Sequence, residues 1–424
     1  MTDAPDPRTL VPARRTPLAY LAFGHACLLT ALVTLALDPV GLGGFYYHPR
    51  LIAVVHLVTL GFVTSAILGT LYIACPLAFR VPLPERWTDL AAAFSWMVGV
   101  SGIASHFWMG EYSGMAWSGA MALATPLWVG VRVLAGLRRS VVPLAARLPI
   151  GFAIVNLYVA GALGVTLGVN KHALFLPFSQ LDAVHAHLHL GAVGFALLMV
   201  VGAGYRILPM VLPSAMPRGA VALASPLVVQ AGTWGLVLSL LFAKAAVAWC
   251  AAVVLAGVGL FLSRVAFMLS NRRPPPRERA RADGALVLVL QALVYLVVAC
   301  GLGAFLAWVP TSEGSLRAAF AYGVAGLLGF FCSLVLGVEA RLVPLAAWLQ
   351  GFTATGQRPA SIHTAVPRDG ALTAAALWTV GVPCLAAGLG LDRPLWTQTG
   401  AGALAVAVSI AAGSGVAALI RLRR

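Results

Sequence analysis

Apolar residues run through this chain in long blocks, separated by short polar stretches that collect most of its arginines. The blocks fall at 17–37, 51–76, 88–109, 115–137, 148–169, 184–212, 219–241, 244–269, 284–308, 317–346, 370–391 and 396–420. Each is long enough to cross a bilayer as a helix, which takes about 20 apolar residues. The pattern predicts an all-α integral membrane protein with twelve transmembrane helices. The first 16 residues read as a polar tail, and 270–283 as a charged linker carrying Arg272, Arg273 and Arg277 between prolines.

One stretch of helix occurs three times. His56-Leu57 is followed by Gly61-Phe62, Gly69, Tyr72 and Pro76, and His189-Leu190 is followed at the same offsets by Gly194-Phe195, Gly202, Tyr205 and Pro209. A third copy keeps Gly329-Phe330, Gly337 and Pro344, but has Val324 in place of the histidine and Ala340 in place of the tyrosine. The copies divide the chain into three related blocks: 17–140 with helices 1 to 4, 148–269 with helices 5 to 8, and 284–420 with helices 9 to 12. Helices 2, 6 and 10 are then equivalents in three parallel four-helix repeats with pseudo-threefold symmetry. The shared glycines mark either close helix contacts or room for a planar cofactor.

Composition agrees with the span pattern: 60% of residues are hydrophobic and 10% charged. The net charge of +15 would suit a nucleic-acid partner, but the placement of the charges gives another reason for it. With the N-terminus in the cytoplasm, the outer side holds only Arg50, Lys171, Lys244, Arg317 and Arg393 of the 28 basic residues. This is the positive-inside bias of a bacterial cytoplasmic-membrane protein, with both termini cytoplasmic and the lipid bilayer as its partner. The Arg14-Arg15 pair reads as a cytoplasmic anchor, because the apolar run behind it is a full span with no small-residue cleavage site. The six cysteines form no Cys-x-x-Cys pattern and read as small buried residues.

The chemistry lies in the histidines. All nine except His25 and His363 fall in the outer half of the protein on this topology. His56 lies about 9 Å along helix 2 at 1.5 Å per residue, and His189 sits at a similar depth on helix 6. Imidazoles at matching positions inside lipid point to a metal or haem site, since buried ionisable groups there are costly and usually functional. His185 and His189 are one turn apart on one face, whereas His187 projects to nearly the opposite side. His185 and His187 are further metal-ligand candidates, and His48, His106 and His172 are secondary ones near the membrane surface. His363 reads as a solvated loop residue. Of the 13 carboxylates only Glu339 lies well within a span, with Arg341 two residues on. A proton pump or ion-coupled transporter usually needs more mid-membrane ionisable groups than this.

Twelve helices in three four-helix blocks, with outer-half histidines on the second helix of a block, resemble the catalytic subunit of haem-copper oxidases, the cytochrome c oxidase subunit I-like superfamily. Within it, the spacing of His189, Gly194, Gly202 and Pro209 is similar to that of the NnrS family, near the nitric oxide reductase branch. His185-Ala186-His187 resembles that family's His-Ala-His, displaced two residues from the glycine register. The resemblance implies that His56 corresponds to a helix 2 low-spin haem ligand and that helix 6 supplies a copper-ligand histidine. Helix 7 lacks the family's His-His pair and helix 10 its His-x-His, so no oxidase active site of the usual kind can be assembled.

These features lead to the expectation of a redox or gas-responsive membrane protein on a degenerate haem-copper-oxidase scaffold. Heme b is held between helices 2 and 6 by His56 and His189, and copper, if bound, uses His185 or His187. The resemblance implies nitric oxide or oxygen as the small gas, and a periplasmic electron donor or respiratory subunit as partner. An enzymatic reading makes the chain an oxidoreductase. Two other readings stand beside it: a non-catalytic membrane subunit or assembly factor, and a twelve-helix transporter. A threefold parallel repeat suits a transporter poorly, since that class more often has paired or inverted halves.

Overall fold

The computed structural model describes residues 7–177, 179–273, 283–356 and 368–423. Most of the charged linker, His363 and the first six residues lie outside the described residues. Among the described residues there is no strand, and twelve helices are long and apolar enough to cross a membrane. They are helix 1 (Arg15–Leu37), helix 2 (Pro49–Leu77), helix 3 (Trp87–Met109) and helix 4 (Met115–Arg139). Helix 5 (Leu144–Ala173), helix 6 (Gln180–Met210), helix 7 (Ala220–Phe242) and helix 8 (Lys244–Ser270) follow. Helix 9 (Gly284–Trp308), helix 10 (Glu313–Thr355), helix 11 (Asp369–Gly390) and helix 12 (Pro394–Leu422) complete the set. In lipid the backbone must satisfy its polar groups within the segment, which makes helices of these apolar runs.

The chain forms two compact units. One is drawn from Met1–Pro76, Leu83–Glu111 and Arg279–Arg424, and so holds helices 1 to 3 and 9 to 12. The other, from Leu77–Pro82 and Tyr112–Glu278, holds helices 4 to 8. The packing units therefore cut across the sequence blocks: helix 4 groups with helices 5 to 8. In the first unit helix 1 lies against helices 2 and 12, helix 9 against helix 10, and helix 11 against helix 12. In the second, helix 5 lies between helices 4 and 6, and helices 7 and 8 form a tight pair.

Helices 2, 6 and 10 share a backbone irregularity. Each changes from α to π geometry for eight residues, Leu57–Thr64, Leu190–Leu197 and Ala325–Cys332, and then returns to α. The π segment begins one residue after His56, His189 and Val324, the matching positions of the sequence motif. The phenylalanine shared by the three copies, Phe62, Phe195 or Phe330, lies within each π segment and is buried.

The motif glycines are close helix contacts. A Cβ on Gly61 would lie 2.5 Å from Cys27 Cβ of helix 1, one on Gly194 3.0 Å from Asn156 Nδ2 of helix 5, and one on Gly329 2.5 Å from Tyr295 Cγ of helix 9. Gly69, Gly202 and Gly337 repeat the relation: their added Cβ would meet Pro17 O at 3.1 Å, Ile150 Cγ1 at 2.6 Å and Ala285 O at 2.8 Å. In all three blocks the second helix is thus pressed against the first at two glycines, as small residues permit between membrane helices. Of the two uses open to these glycines, the structure has close contact.

Candidate histidine sites at the π segments

His56 is the last α-helical residue before the π segment of helix 2. Its Nδ1 lies 2.8 Å from the Ile52 carbonyl one turn back, which can only accept, so Nδ1 carries the hydrogen. The ring is half-buried and stacks on Phe107 of helix 3, with centroids 5.0 Å apart and planes 14° from parallel. A backbone carbonyl on one nitrogen and an aromatic face on the ring fix the orientation of the imidazole, with Nε2 as the nitrogen for any ligand.

His189 stands in the same relation to its own helix. Its Nδ1 is 2.8 Å from the His185 carbonyl, and the π segment follows at once. His187 is turned to helix 5: its Nδ1 is 2.9 Å from Ala160 O, and a Cβ on Gly164 would lie 2.7 Å from its Cε1. The opposition of His187 to the His185–His189 face, expected from the helical period, is therefore built into the packing. At the head of helix 6, Ser179 caps Asp182, whose carboxylate pairs with Lys244 at 2.7 Å.

The secondary candidates lie at helix ends. His48 is the N-cap residue of helix 2, and among the described residues its buried Nδ1 has no hydrogen-bond partner. His106 in the last turn of helix 3 places Nδ1 2.8 Å from Glu111 O, and His172 is exposed in the last turn of helix 5. Nearby, the guanidinium of Arg50 lies over the Trp108 ring at 5.3 Å, as in an aromatic belt. Among the described residues no three His, Cys, Asp or Glu side chains gather as a metal-ion site. His56 belongs to one compact unit and His189 to the other.

The sequence reading missed the groups that hold the π segments. Around a π turn the regular i→i−4 ladder changes register, and side chains add donors to carbonyls there, beside the backbone N–H groups of Ser65 on Leu60 O and Ser333 on Leu328 O. In helix 2 Ser65 Oγ donates to Leu60 O at 3.2 Å, and Trp96 Nε1 of helix 3 donates to Ser65 Oγ at 2.7 Å. In helix 10 Trp378 Nε1 of helix 11 donates directly to Leu328 O at 3.0 Å. In helix 6 Asn156 Nδ2 of helix 5 donates to Gly194 O at 2.6 Å, and Trp234 Nε1 of helix 7 donates to Asn156 Oδ1 at 3.2 Å. Each block therefore ties its π segment to an indole on its third helix, directly or through one polar relay. A signal was present in the chain: a tryptophan within the third apolar run of every block.

The fold and site together define a polytopic helical membrane protein with histidines at the entrance to π-helical turns. No protein-family model and no curated protein sequence matches the chain.

Proposed function

We propose that this chain is a haem-carrying membrane protein of redox or gas chemistry, with a b-type haem and with His56 and His189 as its first axial-ligand candidates. The observation that carries the reading is the arrangement the two residues share. Each closes an α-helical stretch, holds Nδ1 at a carbonyl one turn back and stands directly before a π segment. π turns are frequently found at functional sites, and metal-bound histidines commonly use their second ring nitrogen in this way. The third copy keeps the π segment but has Val324, so the turn does not depend on the histidine. Two imidazole donors inside an apolar span suit haem iron well. A bound haem would supply one-electron chemistry or a coordination position for nitric oxide or oxygen.

The protein's own contribution is to fix the rings and exclude water: Phe107 covers one face of His56, and Ile52 sets its tautomer. His185 and His187 are the candidates for a copper ion, and a periplasmic electron donor or respiratory subunit is the proposed partner. The arginine distribution supports a bacterial cytoplasmic membrane with both termini inside. The test is the absorption spectrum and metal content of protein purified after expression with ample haem. A Soret band with low-spin features is expected, and protein that lacks a Soret band contradicts the reading.

A further inference from the structure

Two groups that the histidine pattern leaves aside meet within the first compact unit. His25 of helix 1 is the described histidine outside the outer-half cluster, and Glu339 of helix 10 is the carboxylate well within a span. His25 Nε2 lies 3.4 Å from Glu339 Oε2. At 1.5 Å per residue, His25 is about 15 Å along helix 1 from Arg15, close to half the ~30 Å hydrocarbon thickness. Glu339 is 8% exposed, and among the described residues its other oxygen, Oε1, has no hydrogen-bond partner. The imidazole is held by the Leu21 carbonyl, 2.9 Å from Nδ1, and by Phe62, whose ring it meets edge-on at 5.4 Å.

Elementary hydrogen-bond accounting limits the states of this pair. Leu21 O can only accept, so Nδ1 carries a hydrogen. Nε2 is then either the lone pair of a neutral ring or the second N–H of an imidazolium. A neutral ring beside a carboxylate sets lone pair against lone pair and leaves a bare anion in the span. An imidazolium beside a carboxylic acid leaves a bare cation there, and unpaired charge in an apolar interior is strongly unfavourable. The two remaining states each hold one proton between Nε2 and Oε2 and are neutral overall, so they are the favoured ones near neutral pH. The proton leaves only at a pH high enough to make the carboxylate beside a neutral ring accessible.

The surrounding charges leave this balance to the pair. On helix 10, Cys332 interacts with Glu339, and Arg341 is engaged by Asp283 at the head of helix 9. Asp89 of helix 3 faces Tyr20 of helix 1 and accepts the Arg86 backbone N–H at 2.7 Å. Helix 2 contributes the buried Tyr72, and helix 12 has Arg421 exposed near its end.

We propose that His25 and Glu339 form a proton-binding site inside the membrane span, which holds one proton between imidazole and carboxyl and exchanges it as the surrounding pH changes. The test uses full-length protein in lipid vesicles, with a hydrophobic carbodiimide, which adds to protonated carboxyls in apolar surroundings, and with pH-induced infrared difference spectra. The peptide containing Glu339 is expected to gain the adduct, with a yield that falls about tenfold per pH unit above its midpoint. The infrared spectrum is expected to show a carboxyl C=O signal with the same pH dependence, lost in Glu339→Gln. In His25→Gln the signal persists to higher pH, because the carboxylate has lost the partner that stabilises its charge. Absence of both adduct and signal, a yield independent of pH, or identical titrations in wild type and His25→Gln would overturn the proposal. The wild-type measurements need no variant, so a misfolded substitution leaves the test intact.

Discussion

Gly329 and Gly326 stand three residues apart on helix 10 in very different surroundings. A Cβ at Gly329 would lie 2.5 Å from Tyr295 Cγ, whereas one at Gly326 meets nothing within 4 Å. The close atom at Gly329 is the root of a ring on the neighbouring helix, so it yields only if helix 9 moves. Gly329→Ala is therefore expected to cost about 1–3 kcal/mol, the usual range for overpacking, seen as a lower thermal midpoint in detergent. Gly326→Ala should raise that midpoint slightly or leave it unchanged, since alanine is the better helix former. Equal losses in both variants would mean that the contact with helix 9 is not what the motif glycine serves. The sequence offered packing and cofactor space as equal options for these glycines, because a missing side chain does not say what takes its place. The partner atoms on helices 1, 5 and 9 decide it, and they are far away in the chain.

The π segments interrupt the α geometry of helices 2, 6 and 10, and indoles of helices 3, 7 and 11 brace them directly or through one polar relay. Trp378 donates to Leu328 O at the centre of a π segment and is fully buried. Trp378→Phe keeps the ring packing and removes one of two donors to Leu328 O, the other being the Ser333 backbone N–H. The loss should cost about 0.5–1.5 kcal/mol, the usual net worth of one hydrogen bond. Trp249→Phe, at a residue 75% exposed, serves as the control and should leave the thermal midpoint unchanged. A Trp378→Phe protein as stable as wild type would show that the π turn needs no outside donor. Helix existence was legible in the chain, and the predicted spans match the twelve helices to within a few residues at most ends. Helix 10 is the main exception: its apolar run is 317–346, but the helix continues from Glu313 to Thr355. Its start is a polar turn capped at Ser312, and its end is a mixed stretch with Gln350, Thr353 and Thr355 among apolar residues, so hydropathy registers neither boundary. The π geometry itself was invisible to hydropathy, because an extra residue in a turn changes hydrogen bonding and leaves composition as it was.

For the whole molecule, the sequence repeat and the packing units describe different things. The repeat relates helices 2, 6 and 10 by motif and by π geometry. The compact units instead join helices 1 to 3 with 9 to 12 and leave helices 4 to 8 together. Sequence similarity between blocks reports a common pattern within each block, and it carries no information on which blocks bury surface against one another. The same distinction governs the site. The histidines were legible as a pattern, including the turn of His187 away from its neighbours. The His25–Glu339 contact was not, since it joins residues of helix 1 and helix 10 that are far apart in the chain.

The proposed haem depends on His56 and His189 being ligands and more than packing residues. Each variant, His56→Ala and His189→Ala, removes an imidazole whose Nδ1 is fixed by its own helix. The most direct measurement is the low-spin absorption and paramagnetic resonance signal of both purified variants beside wild type at equal protein concentration. The low-spin signal is expected to be lost or converted to a five-coordinate form in each, while His172→Ala, at an exposed helix end, keeps it. A wild-type spectrum in both the His56 and His189 variants would contradict the claim and leave the repeated motif as a device for helix packing.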